Sequence, residues 1–384
     1  MKVIGTCLLN QMSPNRSRCM PSDETIIVGA GLAGASAALT LSPHGPVRVL
    51  EADEPAAGAS GAAAGLVNPL MGRKAKPVWR LHEALDAVAD LLARARAGDL
   101  FAAGGLLRPT VEEKQVAWFQ DAVAAYPDLA LWLPDEAVQE RFPDVETASG
   151  AMLIPRGGAL NVTAFVEAML NAARREGARV ETGARVTGWG DTPDGAFVTV
   201  VRDAHPDEAH PDAAERIEAG RVLLCLGQGY PGHPTLEALS LHGIKGQTVR
   251  VPRPESVTSD LLPMSGRGYI VPEPDGTLVL GSSYDHDFDD LAPDPEQTAW
   301  IQEKTAKMLP GVDTVAPQGV RVGVRVKHTE TNLPLVGPLP GHERVWTFTA
   351  LGSKGLLTAP MLARELHGFF QAPEAIPVEV CVPE

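Results

Sequence analysis

Apolar and small residues near the start of the chain follow the order that a strand, a tight turn and a helix require. The apolar run 26–28 predicts a buried parallel strand, and the small residues from about 32 to 41 predict the helix that follows it. Another apolar run, 47–50, predicts a second strand that ends at Glu51. This order indicates a parallel strand–helix–strand unit.

Three glycines connect the first predicted strand to its helix in the spacing G-x-G-x-x-G. Gly29 permits the tight turn, Gly31 lets the backbone approach a pyrophosphate, and Gly34 lets helix and strand pack closely. The helix N-terminus offers free N–H groups to phosphates, and Glu51 follows about 20 residues on, where a carboxylate accepts hydrogen bonds from a ribose. The set predicts a dinucleotide site; the alternative is a tight turn without a ligand.

Residues 58–69 are almost free of bulky and charged side chains. Such a run lets the main chain lie against a large flat ligand. Its candidate contacts are Ala59, Ser60, Gly65 and Leu66.

Later segments alternate between helical and strand periodicity. The helices are predicted at about 78–97 and from an Asn161 N-cap to Gly177, and strands near 179–187, 196–201 and 221–226. Farther on, strands are predicted at 247–251, 269–271 and 277–280. The acidic stretch 202–220 is interpreted as a solvent-exposed hairpin tip rather than a metal site.

Composition narrows the class of protein. The 384 residues suggest two domains, and without an apolar run of 18 residues we expect no membrane contact. The net charge of −15 opposes non-specific binding to nucleic acid. Four scattered cysteines favour a reducing compartment, so we expect a cytoplasmic protein without a zinc site. Residues 1–23 show no periodicity and are predicted to form a disordered extension.

Three further segments, together with the glycine-rich start, resemble the D-amino-acid oxidase superfamily of FAD enzymes, which includes glycine oxidase and sarcosine oxidase. They are the G-Y-x-x-P motif at 268–272, the G-x-R motif at 323–325 with L-P-L-V-G-P at 333–338, and the loop 350–360. This last loop resembles that of the FAD-dependent half of the bifunctional enzymes that modify a tRNA wobble uridine. The resemblance spans about residues 24–370.

The resemblance implies an α/β fold in which a Rossmann-like FAD-binding domain is assembled from discontinuous segments, 24–72, 150–230 and 318–372. The inserted segments, 73–149 and 231–317, would form a smaller, strand-rich α+β substrate domain. Local periodicity alone does not indicate which segments return to the first sheet.

FAD is the cofactor that the resemblance implies, and its binding residues carry over position by position. Covalent members of the family attach the flavin to a cysteine in the C-terminal region, and none lies between Cys225 and Cys381, so we expect dissociable FAD. No residue is assigned to a metal. The candidate FAD-binding residues are Gly29, Gly31, Gly34, Glu51, Ala59, Ser60, Gly65, Leu66, Gly227, Gly352, Ser353, Lys354 and Gly355.

Candidate substrate contacts also follow from the family motifs. Arg325 stands where the family's carboxylate-binding arginine stands, and a guanidinium presents a planar fork to a carboxylate. The alternative is that Arg325 forms a structural ion pair. Arg321, on the same strand, is the rival candidate for binding the carboxylate. Tyr269 of the G-Y-x-x-P motif would donate to the same carboxylate, or it is a core tyrosine.

A third candidate is Lys354, which precedes the apolar C-terminal helix. A cation and a helix N-terminus near the flavin would stabilise negative charge on the reduced ring; the alternative is a solvent-exposed lysine in a turn. The basic cluster Arg73, Lys74, Lys76 and Arg80 either gates an acidic substrate or begins a solvated helix.

The expected function is FAD-dependent oxidation of a small amine or amino acid bearing a carboxylate, of the glycine-oxidase type, with hydride transfer from Cα–H to flavin N5 and hydrolysis of the imine. One alternative removes a carboxymethyl group from a tRNA wobble uridine, and only this alternative involves nucleic acid. Another is a non-catalytic flavin-binding protein. The substrate, the electron acceptor and the oligomeric state are not indicated by the sequence.

Overall fold

The chain folds around two large β-sheets that meet at a cleft. The structure, a computed structural model, describes residues 23–102, 104–202 and 214–383. The predicted extension 1–23 therefore lies outside the described residues, apart from Asp23, as does much of the stretch 202–220.

Strands are short in the first part of the chain and longer in the second. Within the described ranges they are β1 Thr25–Val28, β2 Val47–Leu50, β3 Leu66–Val67, β4 Leu70–Met71, β5 Lys76–Pro77, β6 Phe101–Ala102, β7 Leu106–Pro109, β8 Leu131–Leu133, β9 Ala151–Ile154, β10 Gly158–Leu160, β11 Arg179–Glu181, β12 Ala184–Thr192, β13 Gly195–Arg202, β14 Glu215–Ala219, β15 Arg221–Leu224, β16 Leu241–Pro252, β17 Met264–Gly266, β18 Gly268–Pro272, β19 Thr277–Gly281, β20 Gly319–His328, β21 Leu335–Pro338 and β22 Val345–Thr349.

Helices occupy the outer layers and the connections between strands. In the same ranges they are α1 Leu32–Leu41, α2 Ala59–Ala62, α3 Leu81–Ala95, α4 Lys114–Ala125, α5 Asp135–Arg141, α6 Val162–Arg175, α7 Pro234–Glu237, α8 Pro295–Thr305, α9 Gly355–Ala363 and α10 Leu366–Gln371.

A six-stranded sheet in the order β11-β2-β1-β15-β22-β21 forms the first layer, and all its neighbours are parallel except β21 and β22. Alternate residues of β1 enter different cores: Ile27 packs with helices α1, α3, α6 and α9, whereas Ile26 packs with the sheet β12-β13-β14. Because both faces are covered, β1 is apolar at every central position, as is typical of parallel sheets.

The second layer is an eight-stranded sheet in the order β20-β16-β19-β18-β17-β7-β9-β8. Its long edge pair is antiparallel, and β20 places Arg325 opposite Ile244 of β16. Apolar residues of α8, including Ile301, pack with Val249 and Leu280 and bury one face of this sheet.

Most elements predicted from periodicity are confirmed. Helix α1 has the predicted bounds, and Asn161 caps α6 by accepting a hydrogen bond from the Ala164 amide at 3.0 Å. The prediction of a hairpin tip at 202–220 is wrong for the last part of this stretch, where β14 pairs with β13. Hydrogen bonding there completes a three-stranded sheet. The charged sequence Glu-Arg-Ile-Glu-Ala of β14 does not have the apolar pattern from which a strand is predicted.

Pairing of two strands differs from the segment division implied by the resemblance. Strands β9 and β20 fall in the segments 150–230 and 318–372, yet both pair in the eight-stranded sheet. The domain boundaries themselves stay a prediction. Strand β20 belongs to the eight-stranded sheet and not to the parallel sheet because its residues pair with β16 in an antiparallel ladder.

Candidate functional site

A cleft of about 1040 Å³ lies at the carboxyl ends of β1 and β15 and extends to the eight-stranded sheet. Ligands bind at this edge of open parallel sheets in many α/β proteins. Of the predicted site residues, those that line the cleft are Gly29, Gly31, Glu51, Ala59, Ser60, Gly65, Leu66, Gly227, Tyr269, Arg325, Gly352, Ser353 and Gly355. Gly34 and Lys354 lie outside its lining.

The glycine turn after β1 has the geometry that the spacing predicts. Gly29 has φ +103°, and a Cβ on Gly34 would stand 1.9 Å from the Gly29 carbonyl oxygen, so only glycine permits this packing of α1 on β1. Gly31 is extended and precedes α1, and its missing side chain leaves the helix N-terminus open to the cleft. The Ser60 hydroxyl reaches the same place and accepts from the Leu32 amide at 3.0 Å.

Glu51 stands at the end of β2, beside this turn. Its carboxylate accepts from the Ala30 amide at 2.6 Å and from the Asp53 amide at 3.0 Å. These backbone bonds fix the carboxylate at the edge of the cleft, where its remaining lone pairs can accept from a ribose hydroxyl.

The small-residue segment that follows packs directly on β20. A Cβ on Gly65, which has φ +74°, would stand 1.8 Å from the Leu160 carbonyl oxygen, and a Cβ on Gly323 would stand 2.9 Å from the Ala59 Cα. Small side chains therefore bring the main chain of this segment against β10 and against β20 of the eight-stranded sheet. The remaining space forms the cleft.

The loop before α9 places its backbone, but not its lysine side chain, at the cleft. Gly352 has φ +55° and donates its amide to the Val326 carbonyl at 2.8 Å. Lys354 is the N-cap residue of α9, and its Nζ donates to the Asn332 carbonyl at 3.3 Å. Partial burial lowers the pKa of Lys354. The cation predicted here thus contacts a neighbouring loop.

Arg325 lines the cleft from β20. Its guanidinium donates to the Ser283 carbonyl at 2.6 Å and to the Ser282 hydroxyl at 3.3 Å, and it lies 4.2 Å from the centre of the Tyr284 ring. No carboxylate within the described ranges forms an ion pair with it. Arg321, its rival, is exposed and reaches the Gly61 carbonyl at 3.4 Å outside the cleft lining.

Tyr269 enters the cleft from β18 opposite Gly281 of β19. A Cβ on Gly281 would stand 2.2 Å from the tyrosine ring, so the glycine makes room for it. Removal from water raises the pKa of Tyr269 to about 12, while the Ser282 hydroxyl and Arg325 oppose the rise. The phenol therefore stays protonated and can donate a hydrogen bond.

The cleft residues that the sequence argument missed include Arg108, Tyr284, Trp300 and Lys304. Arg108 is 2% exposed and donates to the carbonyls of Leu70 and Gly72, which positions the residues directly after the small-residue segment. A lysine at a helix end or a buried arginine in an apolar strand carries no local signal of a site. Only the tertiary arrangement brings these residues together.

Comparison with known proteins establishes the family. The model of the FAD-dependent oxidoreductases called DAO matches residues 24–367, which include both sheets and the cleft. The chain belongs to the FAD-dependent oxidoreductase family. It is accordingly an enzyme that uses FAD. Its α/β fold with a Rossmann-like core is the one that the resemblance implied.

Similar proteins fall into two groups. A bifunctional protein of tRNA 5-methylaminomethyl-2-thiouridine biosynthesis from Idiomarina loihiensis is 28% identical over 88% of this chain and 54% of the relative. This chain thus spans about half the length of the curated relatives it matches. Glycine oxidase from Geobacillus kaustophilus has a TM-score of 0.77 at 20% identity over 93% of this chain and 98% of that one. Iminodiacetate oxidase from Chelativorans sp. BNC1 has a TM-score of 0.76 at 20% identity over 94% of this chain and 100% of that one.

The residues at the first end of the cleft suit FAD. The open α1 N-terminus at Gly31 and the Ser60 hydroxyl can hold a pyrophosphate, and Glu51 can hold a ribose. Small residues of the segment 58–66 line the cleft and leave room there for a ring system. In the part of the chain that the structure describes, no three potential metal ligands cluster, and no helix combines the length and apolar character needed to cross a bilayer.

Proposed function

We propose that the protein oxidises a small amine or amino acid at a carbon that carries a carboxylate. The observation that carries this proposal is Arg325, a guanidinium that faces the cleft without an ion-pair partner among the described residues. A buried or half-buried charge without a counter-charge is costly, which favours an anionic ligand at this position. The chemistry of guanidinium and carboxylate makes the fork-to-fork pairing specific.

Bound FAD supplies a two-electron acceptor for the hydride that leaves the substrate carbon as the carbon–nitrogen double bond forms. Water then adds to the imine and releases the amine and the carbonyl product. The residues of this chain orient the substrate: Arg325 holds the carboxylate, and the Tyr269 hydroxyl donates to the same group. Neither residue takes the proton of the substrate amine in this scheme.

Anaerobic mixing tests the proposal. The holoprotein is combined with glycine, sarcosine, proline, D-amino acids and amines without a carboxylate, and bleaching of the flavin absorbance is followed. We expect reduction by at least one carboxylate-bearing amine and none by its decarboxylated analogue. Equal reduction by both would contradict the proposal.

The specific support for a second candidate, a tRNA wobble uridine, comes from two observations. Relatives at 28% identity act in tRNA 5-methylaminomethyl-2-thiouridine biosynthesis, and two exposed aromatic rings, Tyr284 (56% exposed) and Trp300 (47% exposed), line the cleft. Exposed rings can stack on a base. The net charge of −15 opposes the binding of a polyanion. Including modified tRNA in the same anaerobic panel separates the two candidates.

A protein that only binds flavin would give a third result. Its FAD would be reduced by light in the presence of a photoreductant, yet no amine of the panel and no tRNA would reduce it. This outcome would contradict both catalytic candidates.

A further inference from the structure

The acidic side chains of the cleft lining are confined to one end, where Arg185 also lies, 3.5 Å from Asp53. The carboxylates of its lining, Glu51 and Asp53, stand together after β2, at the dinucleotide end. The side chains that line the cleft farther along, around the eight-stranded sheet, contribute cations and no carboxylate among the described residues. These cations are Arg73, Arg108, Lys304 and Arg325.

Two of the four cations already have defined contacts. Arg73 forms an ion pair with Glu112 at 3.0 Å, and Arg108 is held by backbone carbonyls. Lys304 and Arg325 have no carboxylate partner in the described ranges. Both therefore remain available to an anionic ligand.

Ser282 brings these two cations together. Lys304 Nζ donates to the Ser282 carbonyl at 2.5 Å, and Arg325 Nη1 donates to the Ser282 hydroxyl at 3.3 Å. The two groups arrive from different elements, α8 and β20, so only the fold makes them neighbours. One small molecule can reach both.

Lys304 retains unused hydrogen-bonding capacity. An ammonium has three N–H groups, and the Ser282 carbonyl accepts one, while the centre of the Trp300 ring lies 3.8 Å from Nζ. Removal from water and the nearby Arg325 charge lower the pKa of Lys304 to about 8. An anion beside Nζ would offset both effects, because an opposite charge favours the protonated form.

We propose that the substrate carries a second carboxylate, which Lys304 binds while Arg325 binds the carboxylate on the reacting carbon. The substrate class is then a dicarboxylic amine or amino acid. This inference rests on the proposed function for the role of Arg325, and it adds the second anionic group and the residue that recognises it.

Two pairs of ligands that differ by one carboxylate test it. Iminodiacetate and sarcosine are compared as reductants of the flavin under anaerobic conditions, from the concentration dependence of reduction. Thiodiacetate and methylthioacetate are compared as non-oxidisable ligands, from their dissociation constants measured by the change in flavin absorbance.

We expect each dicarboxylate to bind about tenfold more tightly than its partner, or more, which corresponds to about 1.4 kcal/mol. Lys304→Met should reduce this ratio to near one, and Lys304→Arg should restore much of it. Lys307→Met is the matched control, because Lys307 is exposed, lies three residues farther on and is absent from the cleft lining. The control should keep the wild-type ratio.

Three outcomes would overturn the inference: equal binding of both ligands of a pair, an unchanged ratio in Lys304→Met, or loss of the ratio in Lys307→Met. Failure of the proposed function looks different, because then either no amine reduces the flavin or an amine without a carboxylate reduces it equally well. The thiodiacetate comparison still reports on Lys304 in that case, since it needs no turnover.

Discussion

The two ends of the cleft offer different means of recognising a ligand. At the end with the glycine turn, the dinucleotide end, contacts would come from the backbone and from positions without bulky side chains, and Gly29, Gly31 and Glu51 belong to one stretch of 23 residues. At the other end, the proposed substrate end, contacts would come from aromatic side chains and from charged ones such as Lys304 and Arg325, which separate elements bring together.

This difference has a physical origin. A pyrophosphate requires a helix N-terminus and close main-chain approach, which a short local motif supplies. A small anionic substrate requires cations at a defined spacing, and any element that reaches the cleft can supply one. The first end should therefore tolerate few substitutions, whereas the second should change specificity through single side chains.

The largest effect is expected from Gly31→Val. Its branched side chain would enter the space before α1 and close the pyrophosphate site. The added Cβ alone would stand 3.3 Å from the Ser60 hydroxyl oxygen. We expect loss of FAD with the fold retained, because Gly31 has an extended backbone that valine can adopt. The ratio of flavin to protein absorbance and the circular dichroism spectrum measure the two properties.

Gly98→Ala is the control for this change, because a Cβ at Gly98 meets no atom within 4 Å. The control should keep FAD. Full FAD content in Gly31→Val would show that the glycine turn does not hold the pyrophosphate.

The next effect concerns Arg325→Ala, which removes the carboxylate anchor. Truncating one partner of a desolvated charge pair costs about 2–5 kcal/mol, so we expect affinity for a carboxylate-bearing amine to fall roughly 30-fold to 5,000-fold. The flavin spectrum should stay near wild type. Saturation of anaerobic flavin reduction gives the affinity.

Arg321→Ala serves as the matched control on the same strand, since Arg321 lies outside the cleft lining. Equal loss of affinity in both variants would mean that β20 as a whole, and not the Arg325 guanidinium, matters for binding.

A smaller effect is expected from pH. Lys304 has a pKa lowered to about 8, so it is protonated below that pH and neutral above it. Thiodiacetate affinity should therefore fall as pH rises through about 8, and methylthioacetate affinity should not. The charge of Arg325 helps to lower the pKa of Lys304, and Tyr269, which lines the same cleft, stays protonated in this range because its pKa is about 12.

Binding isotherms between pH 6.5 and pH 9.5 (roughly 1.5 units on either side of that pKa) measure this dependence. Lys304→Met should abolish it. A thiodiacetate affinity that is flat across this range in the wild type would contradict the role of the ammonium.

The smallest effect is expected from Lys354→Met. Its Nζ contacts the Asn332 carbonyl and not the cleft lining, so the flavin reduction potential should change little. Equilibration with a redox dye measures the potential. A decrease of about 30 mV or more, equivalent to about 1.4 kcal/mol for a two-electron couple, would restore the electrostatic role predicted from the sequence.

Sequence reasoning predicted the local geometry of the dinucleotide end because that geometry depends on neighbouring residues. The spacing of Gly29, Gly31 and Gly34 and the bounds of α1 follow from steric and periodicity rules that apply within a few residues. Asn161 could be assigned as a helix cap for the same reason.

The substrate end was only partly predictable. Arg325 and Tyr269 came from family motifs, whereas Lys304 was missed because nothing near it in sequence distinguishes it from a solvated lysine at a helix end. The direction of the Lys354 side chain depends on the neighbouring loop at Asn332, which lies 22 residues away. Long-range contacts of this kind have no local pattern.

Strand β20 connects the two ends of the cleft and sets a distance between them. Gly323 packs on the small-residue segment, and Arg325, two residues later, anchors the substrate carboxylate in the proposed scheme. Two residues of extended chain span about 6.6 Å, a length set by covalent geometry. Opening or closing of the cleft would therefore leave this spacing unchanged. The distance from the small-residue segment to the substrate carboxylate would then depend on the strand and not on the distance between the two sheets.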